Sequence, residues 1–198
     1  MRKYYIALVL ILVIVMIVAI SAIRRAQNSR VNISRTAVIT ELRDLNRLET
    51  AAFTIEKVID AQNATSSRIE EFLFGDKLLL IAHGEVIAGI DLSQMEESGI
   101  QINEKSITLT LPPAQILVTS LDNTQTKVYD RRTGILAKGD KDLEGEARKA
   151  AEQSIRVAAC EGGILDQASE NARKQLTALF RTLSFENISI VIPTSACN

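Results

Sequence analysis

Residues 77–91 read Lys-Leu-Leu-Leu-Ile-Ala-His-Gly-Glu-Val-Ile-Ala-Gly-Ile-Asp. Lys77 to His83 and Glu85 to Asp91 are both rich in apolar residues, so they read as a well-buried strand pair or as one long bulged strand with Gly84 at the irregularity. Upstream, Phe53, Ile55 and Ile59 alternate with Thr54, Glu56 and Asp60, the period of a strand with one wet face. Downstream, Ser106 to Leu111 sets Ile107, Leu109 and Leu111 against Thr108 and Thr110. Pro112-Pro113 ends that strand, because proline cannot donate to a ladder. Ile116 to Ser120 and Thr126 to Asp130 give two short strands around the turn-prone Asp122-Asn123, and Ile188 to Ile192 gives a last one.

On either side of the strands the period lengthens. Val38, Leu42, Leu45 and Leu48 recur every three or four residues, which predicts an amphipathic helix from about Thr36 to Leu48. From Asp142 onward Leu143, Ala147, Ala151, Ile155 and Ala158 form one stripe, continued by Leu165, Ala168, Ala172, Leu176, Leu179 and Leu183. Glu144 with Arg148, Glu152 with Arg156 and Glu170 with Lys174 stand at i,i+4 in the favourable order. Gly162-Gly163 costs about 2 kcal/mol relative to alanine inside a helix, so two helices are expected instead of one rod. Strands grouped before helices predict an α+β fold with helices on one face of a largely antiparallel sheet.

Residues 4–23 are twenty positions without a charge, bounded by Arg2-Lys3 and Arg24-Arg25. As a helix they would span about 30 Å, the thickness of a bilayer's hydrocarbon core. An uncleaved anchor is expected over a cleaved signal peptide, because the run exceeds the roughly 7–15 residues of an h-region and two arginines come directly after it. A short basic N-terminus before such a run favours export of the C-terminal remainder, although the flanking arginines nearly balance the positive-inside rule and leave the cytoplasmic side open. The expected organisation is therefore a cytoplasmic tip and anchor over 1–23, a juxtamembrane stalk over 24–48 and an α+β domain over 49–198.

The whole chain has 198 residues with 23 basic and 24 acidic side chains. This balance gives no electrostatic footprint for nucleic acid. Two cysteines, Cys160 and Cys197, could be bonded in an exported domain or remain two thiols.

Several strings resemble the family catalogued as domain of unknown function 4230, single-span bacterial and archaeal proteins. They are Leu48-Glu49-Thr50-Ala51, the run from Ala82 to Leu92, Leu109-Thr110-Leu111-Pro112, Ile116-Leu117, Leu121-Asp122, Val128-Tyr129-Asp130, and the helical stretch from Ala150 through Gly163-Ile164 to Ala172. The resemblance covers about Thr36 to Ile192 and implies an anchored domain with no assigned activity. The chain departs from the family's pattern at Ser184, where glycine is expected before the aromatic Phe185, which puts a left-handed helix cap there in question.

His83 and Glu85 are the candidates for chemistry, with Asp91 on the same face. A continuous strand would spread His83 to Asp91 over about 26 Å, too far for one ion. With one histidine and no HExxH or CxxC spacing, a zinc centre is not expected. No phosphate loop, GxSxG elbow or EF-hand loop occurs, and Asp122, Asp130 and Asp140 read as turn formers before calcium ligands. No cofactor or metal is therefore expected. The leading expectation is a non-enzymatic, membrane-tethered binding or assembly module. Its partners would be the bilayer through residues 4–23 and a second copy or an envelope protein. A membrane-associated enzyme using His83 and Glu85, and a lipid or small-ligand binder with a groove between helices and sheet, remain as alternatives.

Overall fold

The computed structural model describes residues 13–21, 35–44, 46–63 and 67–197. The chain divides into two units, Met1–Ser34 and Arg35–Asn198. In the first, residues 13–21 are helical, and large apolar side chains from Val13 to Ile20 are exposed. The rest of the expected anchor, 4–12 and 22–23, lies outside the described residues. Among the described residues no helix is long and apolar enough to cross a membrane.

The second unit begins with α1 (Arg35–Asp44) and β1 (Arg47–Gln62), followed by α2 (Arg68–Phe74) and β2 (Asp76–Asp91). Two short 3-10 turns lead to β3 (Ile100–Asn103) and β4 (Ser106–Thr110). Then come β5 (Gln115–Leu121), β6 (Lys127–Thr133), α3 (Leu143–Glu161), α4 (Ile164–Thr182) and β7 (Asn187–Val191). The α+β class and its mostly antiparallel pairing are as expected, but the strands form two sheets. In the larger, β2 is flanked on one side by β1 and on the other by β5 and β6 end to end; the smaller has the order β3-β4-β7, with β7 parallel to β4.

Residues 77–91 form a single strand with β1 antiparallel beside it. Gly84 lies in regular register with Ile55, and the bulges fall elsewhere, between Leu79 and Leu80 facing β6 and between Ile87 and Ala88 facing β5. Gly84 sits instead where β5 takes over from β6 as the neighbour of β2. The even-numbered face of β2, from Leu78 through Leu80, Ala82, Val86 and Ala88 to Ile90, is fully buried. Helices α3 and α4 cover the larger sheet at β1 and β2.

The alanine stripes face the sheet, with adjustments. Ala159 is buried in place of Ala158, and Phe180 replaces Leu179, which is exposed together with Leu183. A chain of i+4 steps from Ala168 through Ala172 and Leu176 arrives at Phe180, and the large ring fills the end of that face. The helices break at Gly163, whose φ is +76°. Of the expected helical ion pairs, Glu144–Arg148 and Glu170–Lys174 form, at 3.0 and 3.6 Å.

The helix expected from Thr36 to Leu48 stops at Asp44. Asn46 takes a left-handed φ of 54° and donates its N–H to the Arg43 carbonyl, after which Leu48 belongs to β1. Leu45 lies outside the described residues. Val38 and Leu42 are buried, and α1 packs on the segment after β2, where the Arg43 guanidinium donates to the Met95 carbonyl. The cap questioned at Ser184 is left-handed all the same, with φ 68°; Phe185 N–H reaches back to the Phe180 carbonyl, and their rings meet edge to face with centroids 6.0 Å apart.

Cys160 and Cys197 are disulfide-bonded, with Cα atoms 5.8 Å apart and a sequence separation of 37. The bond ties the C-terminal tail to the end of α3.

A Cβ on Gly89 would stand 2.1 Å from the Leu48 carbonyl oxygen. Gly89→Ala is therefore expected to cost about 3 kcal/mol or more in urea unfolding, because backbone, not a side chain, must move. Ser184→Gly is expected to add about 0.5–1 kcal/mol by relieving the left-handed serine.

Candidate functional site

Because even positions of β2 face the helices, His83 and Glu85 point to the opposite face of the sheet. The register places Glu56 of β1 beside His83 and Thr54 beside Glu85, while Ser120 of β5 flanks Glu85 on its other side. His83 Nε2 lies 3.1 Å from Glu56 Oε2; the imidazole is 23 % exposed and the carboxylate 59 %. His83, Glu85, Thr54 and Ser120 line an open depression of about 390 Å³ together with Gly84, Leu121, Asp122 and Gln125.

The turn between β5 and β6 closes one side. Asp122 N–H donates to the His83 carbonyl at 2.8 Å, and the Thr126 hydroxyl accepts from His83 N–H at 3.1 Å. These bonds serve the β2 backbone at the handover from β6 to β5. The Asp122 carboxylate accepts from the Thr124 hydroxyl at 2.6 Å, Thr124 N–H at 2.8 Å and Gln125 Nε2 at 2.6 Å. The Thr124 hydroxyl, with the Thr124 and Gln125 N–H donors behind it, holds its pKa at about 2. Asp122 is thus the turn former expected from sequence, with its lone pairs committed inside the turn.

The structure brings His83 and Glu85 to one depression and leaves Asp91 out of it. Asp91 accepts from Ser93 N–H at 3.1 Å and Gln94 Nε2 at 2.8 Å, capping the 3-10 turn; the Ser93 hydroxyl leads the contacts that hold its carboxyl below the ordinary range. Among the described residues, no three or more His, Cys, Asp or Glu side chains are grouped to hold a metal ion. What the depression offers is the His83 imidazole, paired with Glu56 beside it, and the Glu85 carboxylate with two hydroxyl residues nearby, groups capable of hydrogen bonding or of passing a proton.

Glu56 was legible only as a wet-face residue. Its pairing with His83 depends on the β1–β2 register, and the long connection containing α2 hides that register from sequence. A second pair is likewise invisible. Asp76, buried at the start of β2, accepts from Arg131 Nε at 3.2 Å, Arg131 Nη2 at 2.7 Å and Asp140 N–H at 2.7 Å. The Arg131 hydrogen bonds are the main reason its pKa is lowered. Between α3 and β5 lies a shallower depression, lined by Ile116 to Thr119 on the strand and Lys149, Glu152, Gln153 and Arg156 on the helix.

The lowered Asp122 pKa has a defined pH consequence. A depressed carboxylate contributes its stabilisation in full above the ordinary value near 4 and loses it as pH falls towards 2. Melting curves of wild type and Asp122→Ala are therefore expected to differ at neutral pH and to converge between about pH 4 and pH 2.

Residues 40–190, about three-quarters of the chain, match the family described as Protein of unknown function (DUF4230). No curated protein matches the chain. No solved structure matches it. With the strings that carried the resemblance now placed on the strands, bulge and helices of one fold, the chain belongs to the DUF4230 family.

Proposed function

We propose that this protein is a membrane-tethered, extracytoplasmic binding module that works by holding a partner beside the bilayer and not by catalysis. The observation that carries the reading is the Cys160–Cys197 bond in a chain whose residues 4–23 carry no charge. Structural disulfides belong to oxidising compartments, and an uncharged run of that length suits a bilayer. The run from Ala82 to Leu92, the longest strand string of the resemblance, supports the same reading. Gly84 and Gly89 lie against neighbouring backbone, Val86, Ala88 and Ile90 are core, and Asp91 caps a turn. These duties are architectural.

A second reading, an enzyme at the membrane, is favoured by the His83–Glu56 pair beside its depression. His83→Ala and Glu85→Ala separate the two. Unchanged cellular function with unchanged folding supports binding; loss of function with intact folding supports chemistry.

Two measurements test the tether and the compartment, and a third tests the disulfide. The full chain is expected to remain with membranes through an alkaline carbonate wash, and external protease is expected to digest the domain in spheroplasts. Release by carbonate would defeat the tether, and protection from protease would defeat export. Cys160→Ser with Cys197→Ser is expected to lower stability by about 2–4 kcal/mol, since a loop of this size is worth roughly that in the chain-entropy model.

A further inference from the structure

One end of the larger sheet carries an apolar cluster that neither the core nor the His83 depression uses. There α2 exposes Ile69, Phe72 and Phe74, and the turn after β6 exposes Ile135 and Leu136. Ile69 and Phe72 share one face of α2 by their i,i+3 spacing. Backbone bonds lock the turn beside them: Gly134 N–H donates to the Gly75 carbonyl at 2.7 Å, and Leu136 N–H to the Leu73 carbonyl at 2.8 Å. Asp76 holds the base by joining Arg131 of β6 to the Asp140 peptide. The apolar side chains are thus displayed on a braced corner.

From this corner we infer that the tip formed by α2 and residues 134–136 inserts shallowly into the lipid bilayer that holds the N-terminal segment, as a second membrane contact. The inference rests on the proposed tether. Five apolar side chains on a protruding corner fall well short of the roughly 20–30 residues a side of a stable protein interface, whereas a bilayer needs no complementary shape. Phenylalanine with aliphatic neighbours, flanked by Arg68 and Lys138, suits the headgroup boundary, with the charges available to anionic headgroups. Of the two acids on α2, Glu70 and Glu71, Glu71 is paired with Lys77 at 3.3 Å. Held by the proposed tether, the domain meets the bilayer at high effective concentration.

The chain contains no tryptophan, so Phe72→Trp places a single reporter at the tip. The full-length variant would be reconstituted into phosphatidylcholine–phosphatidylglycerol vesicles with and without nitroxide-labelled lipid. Expected are a blue-shifted emission and at least about twofold quenching by shallow nitroxides, while Val58→Trp on the open sheet face stays water-like and changes by less than about a tenth. Adding Ile69→Glu and Ile135→Glu to Phe72→Trp is expected to abolish the quenching without releasing the protein from vesicles. Water-like, unquenched emission from protein that still floats with vesicles overturns the inference and leaves the tether standing. A blue shift that grows with protein density but is not quenched by lipid nitroxides assigns the tip to a second copy and also overturns it. Failure of the full chain to float with vesicles defeats the tether, and the inference with it.

Discussion

The structure depends on burying one face of β2. Leu78, Leu80, Val86 and Ile90 are fully enclosed beneath α3 and α4. Side chains of this size contribute about 1.5–3 kcal/mol each when buried, against about 0–1 kcal/mol for an exposed ion pair such as Arg132–Asp130. Register is the consequence. A slip of one residue would turn Lys77, His83 and Glu85 towards the helices, where their polar groups would lose water without partners. The alanines of α3 and α4 complete the arrangement, because Ala147, Ala151, Ala168 and Ala172 are fully buried and let the helices lie close to the strand.

Close approach explains why the family's strings have the residues they do. At the start of β1 the ladder shifts between Glu49 and Ala51, which takes the Thr50 peptide out of regular pairing. The Thr50 carbonyl accepts from Asn171 Nδ2 at 2.8 Å, and the Thr50 hydroxyl donates to the Ala168 carbonyl at 2.8 Å. A β-bulge is thereby tied to the middle of α4, and its buried polar atoms are satisfied. Gly89 lies opposite Glu49, where Leu48 backbone leaves no room for a Cβ. The threonine of Leu48-Glu49-Thr50-Ala51 and the second glycine of the β2 string are thus two halves of one joint.

Sequence was a good guide where a long period meets a continuous core and a poor one where short backbone motifs decide. The strands around Phe53, Leu109 and Ile188 and the break at Gly162-Gly163 were legible because alternation or a helix breaker is repeated or doubled there. Helix α2 was not legible. It has seven residues, no buried side chain, and depends on the Ser67 cap and on bonds to residues 134–136, all outside its own pattern. Strand β3 has four residues, too few to show a period. The end of α1 was misplaced because Leu48 stands three residues from Leu45, whereas Asn46 can adopt the left-handed conformation that stops the helix. Ser184 shows the reverse case: the Phe180–Phe185 contact and the return to β7 hold a serine where glycine is the easier residue. For the candidate site, His83 and Glu85 could be placed on one face from alternation alone, but Glu56 could not.

The two long strands also set apart three regions with different physical demands. Where β1 begins and β2 ends, α1 is docked through Val38 and Leu42, so the chain leaves the domain from a packed and defined point. In the middle, the His83 face is open to water, and its imidazole has a half-exposed carboxylate for a partner. Catalysis by preorganised charge gains most in a site that excludes water, and an open sheet face does not supply that. At the other end, apolar side chains stand exposed on a braced corner, the reverse arrangement, in which water is the unfavourable neighbour. A strand pair of sixteen residues each separates the docked entry point from that corner by about 50 Å at ~3.3 Å per residue. A domain of that length held at one end would gain a fixed orientation from a second contact far from the first, since two separated contacts restrict rotation that a single one leaves free.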